Sequence, residues 1–352
     1  MMRLLIRADM NEWIATGHVM RCLAIGKEAV KAGFQVAFVG ADDQGRIVVE
    51  KQGFSYFSLS GVWNDMEQEL DKLKQLIREY KADYILVDSY YVTEVYLQSL
   101  CRECKVAYLD DINAFLYPCH TLICYANYYK KFRYEDRYPK YMKLLLGCAY
   151  APLREVFSQT KSKEIRREVK EILVLSGGTD PYHFLKSFLG VVTKKKNLLK
   201  DVHITAVCGM YNVDYEEVRT IYAEGRNVTV LHAVDNIENY MQNADIAVSA
   251  GGTTLYELCA CGTPTICYTL ADNQLDNVDS FSKESIMVYG GDLRESETVN
   301  RIFLAMIDLI KNEKERKKMS TKMQQLVDGK GAERIVYELM GQVEKIQERN
   351  EI

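Results

Sequence analysis

The chain has no long hydrophobic run: nothing in its 352 residues approaches the roughly 18 consecutive apolar residues that a membrane-spanning helix needs. It begins on an apolar strand at Leu4, Leu5 and Ile6, without the charged, apolar and cleavage regions of a signal peptide. It also lacks an excess of charge of either sign. The 45 basic residues against 49 acidic leave −4, which gives no footing for nucleic acid or a strongly acidic partner. Histidine is scarce, five in all, and no His-Glu-x-x-His pattern occurs. The lysine-bearing phosphate loop is absent and no Gly-x-Gly-x-x-Gly opens the chain, which argues against kinase-like enzymes and nicotinamide dehydrogenases. No short-period repeat or low-complexity segment is found. Together these absences predict a cytoplasmic protein with no resident metal or cofactor, a monomer or weak oligomer with a small-molecule ligand.

What is present is ordinary globular composition, 48% hydrophobic and 27% charged, over a length that suggests two domains. The ten cysteines do not form a disulfide framework. Cys208, Cys259, Cys261 and Cys267 lie in apolar segments and read as reduced core residues, and Cys101 and Cys104 form a lone Cys-x-x-Cys with no second pair.

Along the chain, apolar runs that read as strands alternate with helical patterns. Strands are expected at 3–9, 35–39, 56–59, 84–88, 106–109, 121–124 and 144–146, with helices at 18–32, 47–52, 65–80 and 95–104. A polar run from Ser158 to Lys170 reads as a linker or linker helix. The pattern then restarts with strands at 171–175, 203–208, 228–231, 246–248, 265–268 and 287–289. Helices fall between them, including 215–223 and 237–242, and then at 295–312, 314–327 and 333–349. The spacing predicts an α/β protein of two doubly wound, Rossmann-like domains facing a cleft: 1–155, then 171–330, with a C-terminal helix over 331–352. In such sheets ligands bind beyond the carboxyl ends of the strands.

The notable loops all follow strands. Asp245 to Glu257 reads strand, glycine turn, helix. Gly251 and Gly252 allow a ligand close to the backbone, Thr253 or Thr254 can cap the helix, and its amino terminus suits a phosphate or diphosphate. Glu257, one turn on, can accept from a ribose; a plain tight turn is the alternative. Ser176-Gly177-Gly178-Thr179 is a second candidate phosphate cradle or a turn. In Gly17-His18-Val19-Met20-Arg21, a helix amino terminus and a nearby arginine would keep His18 neutral, as a general base must be; a packed or capping histidine is the alternative. Tyr90 reaches a cleft or fills a core. Asp88, Asp110 and Asp111 bind hydroxyls or cap helices. Asn273 and Gln274 hold a sugar or start a helix.

Taken in order, Arg7-Ala8-Asp9, Gly17-His18-Val19-Met20-Arg21, Val87-Asp88-Ser89-Tyr90, Asp110-Asp111, Leu146-Gly147 through Arg154, Ser176 through Pro181, Ala250 through Glu257 and Asn273-Gln274 form a set that resembles a known family. This is the UDP-sugar hydrolase of pseudaminic acid synthesis, UDP-2,4-diacetamido-2,4,6-trideoxy-β-L-altropyranose hydrolase. The chain departs from it at Ala15, where the family usually has glycine, and after about residue 295. The resemblance implies the two-domain GT-B fold, similar to the glycosyltransferase that adds N-acetylglucosamine to the lipid-linked peptidoglycan precursor. It also implies metal-independent, inverting hydrolysis of a UDP-amino-sugar at C1, a step in nonulosonic acid synthesis. His18 would then activate water, with Tyr90 and Asn273 lining the sugar site. Arg7, Asp9, Gly17, Arg21 and Gln274 would complete the substrate site. Gly251, Gly252, Thr253 and Thr254 would hold the diphosphate and Glu257 the ribose, with Ser176, Gly177 and Gly178 nearby in the nucleotide site. Two other readings share that nucleotide site: a GT-B glycosyltransferase with a sugar or lipid-linked acceptor, and a non-catalytic nucleotide-sugar sensor.

Overall fold

Apolar runs without alternation make strands that must be buried on both faces, and that is how the central strands lie. In a computed structural model of the chain, which describes residues 1–222 and 227–350 (side chains to 341), every residue of the strands Tyr84–Asp88, Ile246–Ala250 and Thr265–Thr269 is buried. The contacts divide the chain into two units: Met1–Glu155 with Gly329–Ile352, and Val156–Asp328.

The first unit runs β1 (Arg3–Ala8), α1 (Gly17–Lys31), β2 (Gln35–Gly40), α2 (Arg46–Lys51), β3 (Ser55–Ser58), α3 (Leu70–Tyr80), β4 (Tyr84–Asp88), α4 (Glu94–Cys101), β5 (Lys105–Leu109), β6 (Thr121–Cys124), α5 (Tyr134–Arg137) and β7 (Lys143–Leu146). Its seven strands are parallel in the order β3-β2-β1-β4-β5-β6-β7, so the order reverses between β1 and β4. The helical pattern expected from residue 65 begins instead as a 3-10 turn, Met66–Glu69, because Glu69 is pulled inward by Arg7. The short helix α5 was not anticipated.

The second unit runs β8 (Glu171–Leu175), α6 (Phe184–Lys194), β9 (His203–Cys208), α7 (Tyr215–Tyr222), β10 (Val228–His232), α8 (Ile237–Asn243), β11 (Ile246–Ala250), α9 (Thr254–Cys261), β12 (Thr265–Thr269), α10 (Leu275–Lys283), β13 (Val288–Asp292), α11 (Thr298–Lys311) and α12 (Glu313–Leu326). The expected end of α7 at residue 223 lies outside the described residues. Six parallel strands stand in the order β10-β9-β8-β11-β12-β13, reversing between β8 and β11.

The polar run 158–170 is neither a free linker nor a helix. Buried Arg316 donates to the carbonyls of Arg166 and Arg167 and of Leu309 and Ile310, and Lys163 donates to the carbonyls of Gln242 and Ala244 at the end of α8. These charge-assisted bonds strap the segment to the second unit.

After that unit the chain returns to the first as α13 (Gly331–Asn350), which packs on α1. Three polar contacts fix it there: Tyr84 Oη to the Leu339 carbonyl, Arg334 to the Ala149 carbonyl, and the Lys143–Glu338 ion pair. Each fully buried Leu, Ile or Val in these cores contributes about 1.5–3 kcal/mol. Among the described residues no helix is long and apolar enough to cross a membrane, and no group of three or more His, Cys, Asp or Glu could hold a metal.

Candidate functional site

In each unit the candidate residues gather where the strand order reverses, at the carboxyl ends of the strands. In the first unit, β1 leads into a loop whose last turn puts Ala15 at φ 55, the left-handed region. Glycine is free there and alanine is strained, which explains in backbone terms why glycine is usual at this place in the resembling family. α1 then opens at Gly17, and its second residue is His18.

His18 is buried, 6% exposed, and its Nδ1 lies 2.7 Å from Asp88 Oδ1 at the end of β4. A carboxylate oxygen only accepts, so Nδ1 carries the hydrogen and Nε2 holds the lone pair. Nε2 has no hydrogen-bond partner among the described residues and is not sealed from solvent. This is the arrangement of a base whose tautomer and orientation are set by a third group. The ring of Tyr90 stands edge-on to the imidazole at 4.8 Å between centroids.

Arg21, one turn along α1, has Nη2 3.1 Å from His18 Nδ1 but commits its guanidinium mainly to Asp88. Its guanidinium forks onto Asp88, Nε to Oδ2 and Nη2 to Oδ1, both at 2.5 Å, and Nη1 donates to Tyr125 Oη at 2.6 Å. Burial alone would raise the Asp88 carboxyl, but Arg21 and His18 overcome it and hold that group well below the usual carboxylate range. Asp88 therefore stays ionised. The Arg21 charge is thus taken up by Asp88.

Arg7 and Asp9 do not join the site as substrate ligands. Arg7 is fully buried, with Nε and Nη2 on Glu69 at 2.7 and 2.8 Å and Nη1 on Asp9 at 2.5 Å. Asp9 also accepts from the Ala41 amide, and Tyr96 Oη donates to Glu69. The network ties the ends of β1 and β2 to the turn before α3, with Arg7 fully buried inside it. Asp110 is structural too: it accepts from the Ile112 and Asn113 amides and from the hydroxyls of Tyr117 and Tyr134.

In the second unit, β11 runs into Gly251-Gly252 and then α9. The two glycines serve different ends. A Cβ on Gly251 would lie 2.6 Å from Val278 Cγ1 and 3.1 Å from Gln274 Cβ, so this glycine is required for packing against α10. A Cβ on Gly252 would meet nothing within 4 Å, so it borders open space. Neither threonine caps as expected: Thr253 makes no side-chain cap bond. The amides of Gly252, Thr253 and Thr254 have no acceptor among the described residues, and they face outward from a helix amino terminus. Asn277, absent from the sequence-based set, holds the turn by donating to the Gly251 carbonyl and accepting from Tyr256 Oη. Glu257 lies half-buried one turn further along α9.

Asn273 is exposed on the 3-10 turn Asp272–Gln274, whereas Gln274 spends its Oε1 on the Leu270 amide. After β8, Ser176 is fully buried and receives a bond from Asn212 Nδ2, and Gly177 sits at φ 80. The helix start behind this turn is already occupied. The Asp180 carboxylate accepts from the amides of Phe184 and Leu185, so two first-turn amides of α6 already face a carboxylate. The two turns therefore differ in the helix that follows: a side chain fills the start of α6, and none caps the start of α9.

The two units are Rossmann-like parallel-sheet domains of the GT-B type. The crystal structure of Acinetobacter baumannii MurG superposes with a TM-score of 0.66 over 97% of this chain and 100% of that one, at 13% identity. Residues 172–335 match the family model of the Glycosyltransferase family 28 C-terminal domain. The chain is similar, at 24% identity over 83% of its own length and 87% of the relative's, to the UDP-N-acetylglucosamine–N-acetylmuramyl-(pentapeptide) pyrophosphoryl-undecaprenol N-acetylglucosamine transferase of Clostridium botulinum. It is 23% identical over 84% of its length to an uncharacterized protein of Methanocaldococcus jannaschii, of which it spans only 61%.

Proposed function

We propose that this protein is a glycosyltransferase-like enzyme that uses a UDP-amino-sugar and moves the sugar from UDP to a hydroxyl, with His18 as general base. The observation that carries this reading is the His18–Asp88 pair, with Nδ1 committed to a carboxylate at 2.7 Å and Nε2 left to accept. The family 28 match over 172–335 and the named C. botulinum transferase support the donor class.

The reaction follows from the groups. His18 Nε2 takes the proton of the attacking hydroxyl as its oxygen forms a bond to C1. The bond from C1 to the diphosphate oxygen breaks, and its electron pair leaves with UDP. Asp88 stabilises the resulting imidazolium. The amides at Gly252, Thr253 and Thr254 receive the diphosphate charge, with Glu257 on the ribose. One displacement inverts C1, and no carboxylate nucleophile is required.

A second reading keeps every residue and makes water the acceptor, giving the UDP-sugar hydrolase. The ordered motif set from Arg7 to Gln274 favours it. NMR and mass spectrometry of products from UDP-N-acetylglucosamine and related UDP-amino-sugars in 18O-labelled water separate the two: free sugar carrying the label means hydrolysis. His18→Asn is expected to lose UDP release by at least a hundredfold while UDP affinity stays within about twofold. Full turnover in that variant would remove His18 as the base.

A further inference from the structure

β5 ends on two adjacent aspartates, and the fold uses them differently. Asp110 is saturated, taking the amides of Ile112 and Asn113 and two tyrosine hydroxyls. Those amides are the nearest local donors, so none is left for Asp111. Asp111 accepts only on Oδ2, from Tyr90 Oη at 3.2 Å and Arg21 Nη1 at 3.3 Å, both long for charge-assisted bonds. Its Oδ1 is sealed from solvent and has no partner. An ionised oxygen left so costs about 1–3 kcal/mol or more, a state a fold retains where a ligand supplies the missing donor.

Asp111 is also next to the proposed base. Tyr90 touches both, its hydroxyl on Asp111 and its ring edge on His18, and Arg21 touches both, with Nη1 on Asp111 and Nη2 3.1 Å from His18 Nδ1. The backbone is pinned by Tyr128 Oη on the Asp111 carbonyl. The side chain keeps 17% of its surface, and its terminal torsion is a soft one, so the carboxylate can rotate at the loss of only two long contacts.

Resting on the nucleotide-sugar reading above, we infer that Asp111 is a specificity-determining residue, whose unfilled carboxylate oxygen accepts a hydrogen bond from a neutral donor, a hydroxyl or amide N–H, on the sugar of the UDP-sugar. A carboxylate there rejects an anionic group and favours a sugar that presents a donor over its deoxy or deacetamido analogue.

Calorimetric titration of the full chain with UDP and with UDP-N-acetylglucosamine tests this. Asp111→Asn is expected to weaken UDP-N-acetylglucosamine about tenfold or more and leave UDP within twofold. The wild-type protein gives a second measurement that does not depend on the variant folding. Among analogues lacking the acetamido group or the 3- or 4-hydroxyl, one binds about tenfold more weakly, and that analogue is insensitive to Asp111→Asn. Equal losses for UDP and UDP-N-acetylglucosamine, or analogues that all bind like the parent, overturn the inference and leave the nucleotide-sugar reading standing. A wild-type protein that binds neither UDP nor UDP-N-acetylglucosamine overturns both.

Discussion

At the scale of the residue, the molecule turns on Asp88. It is 1% exposed, and it holds an arginine fork and an imidazole at once. Asp88→Asn turns one of the two acceptor oxygens shared by His18 and Arg21 into an NH2 donor, so the His18 tautomer is no longer fixed and kcat is expected to fall about a hundredfold or more in steady-state assays. It also leaves the Arg21 charge buried with its main partner gone, at a cost of about 3–5 kcal/mol. The same group sets an acid limit. Its folded pKa lies below the unfolded value of about 3.9, so its contribution is complete above that value and is lost as pH falls below it. Chemical denaturation of the wild-type chain should weaken steeply below about pH 4, and Asp88→Asn should flatten that dependence.

At the scale of the element, the turn between β11 and α9 divides its work between two glycines. Gly251→Ala places a methyl 2.6 Å from Val278 Cγ1, and a loss of about 1–3 kcal/mol is expected on thermal unfolding. Gly252→Ala meets no neighbour, so its melting temperature should match the wild type, while UDP should bind more weakly under the proposed function, which brings the diphosphate to this turn. The reverse pattern would move the phosphate site off this turn. The turn after β8 carries a similar Gly-Gly sequence, yet Asp180 fills its helix start. Sequence alone does not distinguish the two turns, since what separates them is the Asp180 side chain reaching forward to the amides of Phe184 and Leu185.

At the scale of the whole molecule, the chain leaves the first unit near Glu155, builds the second and returns at Gly329. α13 belongs by contact to the unit made first, through Tyr84, Lys143 and the Ala149 carbonyl. A chain ended after Asp328 should therefore show a lowered transition for the first unit in differential scanning calorimetry and an unaltered one for the second. A drop confined to the second unit would contradict this assignment.

Much of the fold was legible because apolar runs of four to six residues ending in Asp, Ser or Gly can be satisfied only by covered parallel strands, and their alternation with helices leaves few topologies. The position of His18 at a helix start and the Gly251-Gly252 turn were legible for the same local reason. Tertiary structure decided the partners. Glu69 lies in a run that reads as helix and is drawn in by Arg7. Asp88 and His18 are 70 residues apart in sequence and meet only when β4 lies beside β1. Local propensity fixes where a chain bends and which face is apolar, but which charges neutralise one another depends on strand order, and that exists only in the folded sheet.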